Sequence, residues 1–110
     1  MTHRDSRLHI VVDETLRPGQ QIAQVAHAVA EFALSHTDIA HAWNRESNYI
    51  IALAAARSDI EAWRDTEDGI AFHEPDFDDA VTAFAFFPKP GVSERLAHLP
   101  LAGRVDSMVR

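Results

Sequence analysis

The chain has 110 residues, 46% of them hydrophobic, with a formal net charge of −7 and no cysteine. That length suits one domain around one core, and the missing cysteines exclude disulfides and thiol catalysis. The acidic balance argues against a broad polyanion-binding face, because phosphate recognition draws most of its affinity from cations.

Met1–Ser6 is polar and is expected to fray. The opening MTHRDSRLHIVV lacks the apolar core of a signal peptide. The chain has no run of about 18 apolar residues. A cytoplasmic protein with no membrane span is therefore expected. Leu8–Val12 is a short β-branched run and reads as a strand. Asp13, Glu14 and Thr15 connect it to the best-defined stretch of the chain, Leu16–Phe32.

Proline is tolerated in a first helical turn, where its missing N–H would be unpaired anyway, so Pro18 predicts a helix start. The helix is expected to run to Ser35. Ile22, Val25, Val29 and Phe32 form an apolar stripe at helical spacing. Gln20, Gln24, His27 and Glu31 then fall on the opposite side as a polar seam. Alanines at 23, 28 and 30 keep the flanks thin enough for close packing.

A second short helix is expected over Asp38–Trp43, with Asp38 as its N-cap. Tyr49–Ala55 is almost continuously apolar and reads as a strand buried on both faces. Ser58 and Glu61 make a capping box for a helix over Asp59–Thr66, ended by Gly69. Ile70–His73 reads as an edge strand and the following HEPDFDD as a loop. Thr82–Phe87 alternates small and aromatic residues and reads as a strand, stopped by Pro88 and Pro90. Ser93–Leu99 suits a short helix. The pattern β-α-α-β-α-β-β predicts an α/β fold, a three-layer sandwich whose four-stranded mixed sheet is covered by helices. One domain over 1–110, with its core between about 7 and 103, is expected. At least one strand pair should be antiparallel.

His27 is a candidate general base or hydrogen-bonding group in a cleft. A half-exposed helical histidine of no consequence would look the same. The carboxylates Glu74, Asp76, Asp78 and Asp79 could orient an imidazole or attract a cation, or simply be solvated. No metal-binding histidine spacing, phosphate-binding glycine loop or nucleophile elbow is present, so no metal and no cofactor are expected. Trp43 and Trp63 read as core or rim residues. Nine acids lie between Asp59 and Asp79 against one base, Arg64.

The run IVV, then PGQQIAQVAHAVAEF, then a tryptophan and a buried strand, resembles the peptidyl-tRNA hydrolase 2 family. The late FHEPDFDDAVTAFAFFP is similar to a divergent bacterial and phage branch of that superfamily, and LAHLPLAG to its closing leucine-rich segment. The resemblance covers about Arg7 to Gly103. It implies an enzyme that cleaves the ester between a peptide and the tRNA 3′ end, on a commonly dimeric fold. It matches His27 to the family's histidine, Gln24 to its glutamine and Asp13 to its aspartate after the first strand. Asp76 most nearly matches the aspartate that opens a later segment.

Two features depart from the family. Gln20 stands where a lysine is usual, and the G-R-T-Q after the aspartate is absent, Thr82 being the nearest threonine. In the implied site His27 activates water or holds the substrate ester, Asp76 or Asp79 orients the imidazole, and Gln20 and Gln24 donate to the substrate carbonyl, with Asp13 and Thr82 as further binding residues. The alternative is a non-catalytic member whose cleft binds a nucleotide, a peptide or a protein partner. If Arg17, Arg45 and Arg57 gather at the seam, the tRNA 3′ end could dock there. If acids dominate it, tRNA is disfavoured. A homodimer is the expected assembly.

Overall fold

The structure, a computed structural model, describes residues 4–104. It is an α/β fold with a mixed four-stranded sheet. The strands are β1 (Leu8–Asp13), β2 (Ile50–Ala55), β3 (Gly69–Glu74) and β4 (Ala80–Phe86), in the order β2-β1-β4-β3. The helices are α1 (Pro18–Ser35), α2 (Thr37–Glu46), α3 (Arg57–Thr66) and α4 (Val92–Arg95). β1 runs parallel to β2 and antiparallel to β4, and β3 runs antiparallel to β4. No described helix is long and apolar enough to cross a membrane.

β1 is central, and all six of its residues are buried. Leu8, Ile10 and Val12 pack with Ala28 and Phe32 of α1 on one face of the sheet. Val11 packs on the other face with Ile60 of α3 and Val92 of α4. The small–aromatic alternation of β4 divides the same way. Ala83 and Ala85 lie on the α1 side, where small side chains let the helix approach. Phe84 and Phe86 fill the α3 side, with Trp63 set edge-on against Phe86 at 5.2 Å. Trp43 is likewise a packing residue, edge-on to Phe32 and donating to the Tyr49 carbonyl.

One irregularity breaks the β3–β4 ladder. Phe72 pairs with Ala83, but the next residue, His73, pairs with Val81. Thr82 is the extra residue, a β-bulge, and such bulges re-aim side chains. Thr82 therefore faces α1 on the same side as Ala83, while Val81 joins the phenylalanines.

Several expectations are corrected. The N-terminal segment is not frayed from Arg4 onward: Arg4–Ser6 is a 3-10 turn, and the buried Ser6 accepts a bond from Ser47 at its carbonyl. Met1–His3 lies outside the described residues. α2 starts at Thr37 rather than behind an Asp38 cap, because only His36 separates it from α1. Ser58 does not cap α3. The Ala56 carbonyl accepts from the Asp59 and Ile60 N–H groups, so the chain turns sooner and Ser58 falls inside the first turn.

Gly69 does not end α3 but opens β3. A Cβ there would sit 2.2 Å from the Ala85 carbonyl oxygen and 2.5 Å from the Phe84 ring, a close approach that only glycine permits. β2 is not buried on both faces, since Ile50 is 41% exposed. It is an edge strand, and Pro100–Ala102 covers only its second half, through Ala54 N–H to the Pro100 carbonyl and Ala102 N–H to the Ala52 carbonyl. The helix expected over Ser93–Leu99 is the single turn of α4, begun at Gly91 with φ 93°.

Candidate functional site

α1 has the expected length but buries a different face. Its buried residues are Gln21, Gln24, Ala28 and Phe32. Ile22 is 63% exposed, and Val25 and Val29 are half-buried. With Ala26, Ile50 and Ala52 they line an open apolar groove of about 570 Å3 between α1 and the edge of β2. Two glutamines can replace apolar residues against the sheet because both ends of each amide are bonded, leaving no buried polar atom unpaired.

Gln21 donates to the Leu16 carbonyl at 2.8 Å and accepts from the Gly103 N–H at 2.9 Å. It pins the C-terminal segment to the start of α1. Gln24 donates through Nε2 to Glu74 Oε1 at 2.8 Å and accepts at Oε1 from the Thr82 hydroxyl at 2.6 Å. All three residues are buried, Thr82 completely. The bulge supplies the hydroxyl, α1 supplies the amide, and the last residue of β3 supplies the carboxylate.

Pro75 disfavours helical backbone at Glu74 and holds it extended. The other Glu74 oxygen, Oε2, accepts from the Asp76 N–H at 3.3 Å. Glu74 is held below the usual carboxylate range, first by the Gln24 bond and then by the Asp76 N–H. Desolvation opposes this more weakly, and the nearby His27 adds to it. The result is a fixed anion at neutral pH.

His27 is exposed one turn beyond Gln24 on α1, and its ring stacks on Phe72 of β3 at 4.8 Å with 6° between the planes. The stacking fixes an imidazole beside Glu74 without burying it. Phe72 and Glu74, two residues apart on β3, thus support His27 by packing and by charge.

Of the four carboxylates expected from the sequence, Glu74 joins Gln24, and the other three are placed differently. Asp76 is exposed and reaches the site through its backbone N–H. Asp78 and Asp79 have φ of 55° and 60°, and the Asp79 N–H donates to the Glu74 carbonyl. Short polar residues tolerate that left-handed backbone, so these two aspartates build the β3–β4 turn. The Asp79 carbonyl also lies 3.1 Å from His73 Nδ1. The carboxylate with an electrostatic link to His27 is that of Glu74, while Asp76 and Asp79 contribute backbone N–H groups to the turn around it. Gln24 and Thr82 are buried beneath the surface, so they brace Glu74 rather than reach a substrate. Gln20 is half-buried, and its Oε1 accepts from the Arg17 N–H at 3.1 Å.

Asp13 is fully buried at the end of β1. One oxygen accepts from the Thr15 N–H and hydroxyl, the other from Arg57 Nε. Burial would raise the Asp13 pKa, but the Thr15 bonds and the Arg57 guanidinium outweigh it and hold the carboxyl below its ordinary value. Both Asp13 oxygens are thus committed to shaping the β1–α1 connection and seating α3.

Because β4 and β3 turn back on β1, Asp13, Thr82 and Glu74 all lie at one end of the sheet. That is the end where the parallel strands finish, a common place for sites in open α/β sheets. Of the charges there, Glu74 lies in the seam, Arg57 is committed to Asp13, Arg45 lies in the last turn of α2, and Arg17 stands at the N-cap of α1 with its N–H on Gln20.

Chemically, the arrangement offers an accessible imidazole, a neighbouring carboxylate and a buried brace. Among the described residues, no group of three or more histidines, aspartates or glutamates is placed to hold a metal ion. In comparison with known proteins, no family model matches the chain and no curated protein matches it.

Proposed function

We propose that this protein is a hydrolase of the peptidyl-tRNA hydrolase 2 type, cleaving the ester between a peptide and the 3′ end of tRNA. One observation carries it. His27 stands exposed beside Glu74, whose ionised form is fixed by the Gln24–Thr82 brace. In this mechanism neutral His27 takes a proton from water as it attacks the ester carbonyl. Glu74 stabilises the imidazolium that forms, the task a buried carboxylate performs beside other catalytic histidines. The half-buried Gln20, whose amide nitrogen can donate, is the nearest replacement for the family's lysine at the developing oxyanion. The proton returns to the leaving ribose hydroxyl.

The resemblance in A-Q-V-A-H-A and the mixed four-stranded sheet support the same reading. A homodimer belongs to it, with the apolar groove between α1 and β2 as the surface a second copy would cover. Ile22 and Ile50, two of the exposed large apolar residues, line that groove.

The test is hydrolysis of a defined peptidyl-tRNA by the purified protein beside His27→Ala. The proposal requires turnover by the parent and a loss of about 10²–10⁴-fold in the variant. A parent with no turnover overturns it.

A second reading is favoured by the acidic seam. Glu74 and the adjoining Asp76–Asp79 turn repel a phosphate backbone. A non-catalytic member of the superfamily would use the same cleft for a peptide or protein partner with a cationic group. Binding of peptides, with no hydrolysis, separates the two.

A further inference from the structure

The solvent side of α1 is apolar, the reverse of what a surface helix ordinarily shows. Ile22, Ala26, Ala30 and Leu34 recur at every fourth residue, and all four are exposed, Ile22 by 63% and Leu34 by 80%. Val25 and Val29 lie beside them, half-buried, and lead into the groove against Ile50 of β2. Glu31 is the one acidic or basic residue besides His27 in the 18 residues of α1. At about 100° per residue, Glu31 and His27 fall on the flank of this face and not on it.

An exposed apolar face of this extent marks a surface that something covers. Charge and shape together select the occupant. The chain carries a formal −7, so two copies repel each other except across a face that brings no acid to the contact, and this face brings none. Residues four apart form a ridge inclined to the helix axis. Two such ridges pack with the helices crossing at about −50° and their axes about 8–10 Å apart. Helices crossed at that angle are closest at the middle and diverge toward the ends. Ala26 and Ala30 stand in the middle, where small side chains permit close approach. Ile22 and Leu34 stand at the ends, where larger ones fill the widening gap. The order large, small, small, large reads the same in either direction. That symmetry is what an antiparallel crossing of two identical ridges about a two-fold axis requires.

We propose that two copies of this chain dock α1 against α1 in an antiparallel crossing, with the two-fold axis midway between Ala26 and Ala30. Ala26 then meets Ala30 of the second copy, and Ile22 meets its Leu34. The antiparallel sense also places opposite ends of the two helix dipoles together. The groove beside α1 shares Ile22, Ala26 and Ala30 with this contact, so one partner covers both. The inference rests on the reading that a second copy covers the groove, and it adds which elements meet and in what register.

The chain has no cysteine, so single cysteines can be placed without background. Ala26→Cys and Ala30→Cys, both at exposed helical positions, are made in the full chain, alone and co-expressed, and oxidised with copper–phenanthroline at micromolar concentration. In the proposed register residue 26 faces residue 30 of the other copy, whereas two residues 26 are offset by four positions, about 6 Å along the helix. A disulfide needs Cα atoms within about 4.4–6.8 Å, so the co-expressed pair is expected to link at least about fivefold faster than either variant alone. Ala26→Glu is expected to be monomeric by light scattering. A dimeric parent whose co-expressed pair links no faster than the single variants, or a dimeric Ala26→Glu, overturns this packing and leaves the covered groove standing. A monomeric parent overturns both. Neither outcome bears on turnover, which hydrolysis of peptidyl-tRNA decides separately.

Discussion

Gln24 and Thr82 are 58 residues apart in sequence and meet inside the protein at 2.6 Å, amide oxygen to hydroxyl. Through the other end of the same amide, Gln24 holds Glu74. Neither residue is near enough in the chain to imply the other. Removing Gln24 leaves two buried partners unsatisfied at once. Gln24→Ala is expected to lower stability by about 2–4 kcal/mol, combining a lost packing volume with the desolvated partners, and Thr82→Val by about 1–2 kcal/mol. Urea unfolding of both variants checks this. Equal stability of Gln24→Ala and parent would show that the brace contributes nothing.

In the proposed mechanism Glu74 acts on substrate only through His27 and is a positioning residue. Glu74→Gln keeps an acceptor for the Gln24 amide and removes the charge, together with the second oxygen that accepts from the Asp76 N–H. Its kcat should fall by at least about tenfold, though less than that of His27→Ala, with KM little changed. Asp76→Asn and Asp79→Asn should leave kcat within scatter of the parent, since the proposed mechanism assigns the supporting carboxylate to Glu74. A larger loss in Asp76→Asn than in Glu74→Gln would reassign the carboxylate.

Much of the fold was readable from short-range pattern. LHIVV is β-branched and apolar enough to be a central strand, and Pro18 and Ser35 bound α1 as expected. The alternation of TAFAFF carried the sheet's two faces in its side-chain sizes. The buried face of α1 was not readable, because helical periodicity ranks glutamine as solvent-facing. Gln21 and Gln24 are buried only because partners at Leu16, Glu74, Thr82 and Gly103 satisfy them. Glu74 was named among the carboxylates able to orient an imidazole, but its loop-like surroundings concealed that it is the last residue of a strand. The local signal that could have found it is Pro75, which keeps the residue before it extended and so within the strand.

Acid should destabilise the protein in two stages. His9 is buried with its pKa lowered, so between that value and its ordinary 6.5 the unfolded chain binds more protons. Stability is therefore whole above about pH 6.5 and declines as pH falls below it. Asp13 and Glu74 are also lowered, from ordinary values of 3.8 and 4.5. Their stabilisation is present above those values and is lost as pH falls through the folded pKa of each. Urea midpoints from pH 8 to pH 3 would show both declines, about where these groups titrate. In Asp13→Asn the acidic decline should be shallower, and an unchanged slope would remove Asp13 from the account.

The apolar groove beside α1 leads to a test of assembly. If two copies cover it, light scattering at micromolar concentration gives twice the monomer mass, and Ile22→Glu returns the protein to monomer with its circular dichroism unchanged. Ile22 suits the test because it is 63% exposed, so a charge there costs the isolated fold little. A parent that is monomeric throughout leaves the groove open to solvent.

The bulge at Thr82 separates architecture from chemistry by a single residue. Without residue 82 the β3–β4 ladder would be regular, with Ala83 still opposite Phe72 and Val81 opposite His73. Alanines would still lie under α1 and phenylalanines under α3. What would vanish is the hydroxyl that orients Gln24, and with it the anchor of Glu74. A gene lacking that one codon should therefore encode a chain with the parent's far-ultraviolet spectrum and an idle imidazole. If such a chain fails to fold, the bulge belongs to the scaffold after all. If it folds, a regular sheet and one carrying this buried brace differ by one inserted amino acid, a step short enough for mutation to take in either direction.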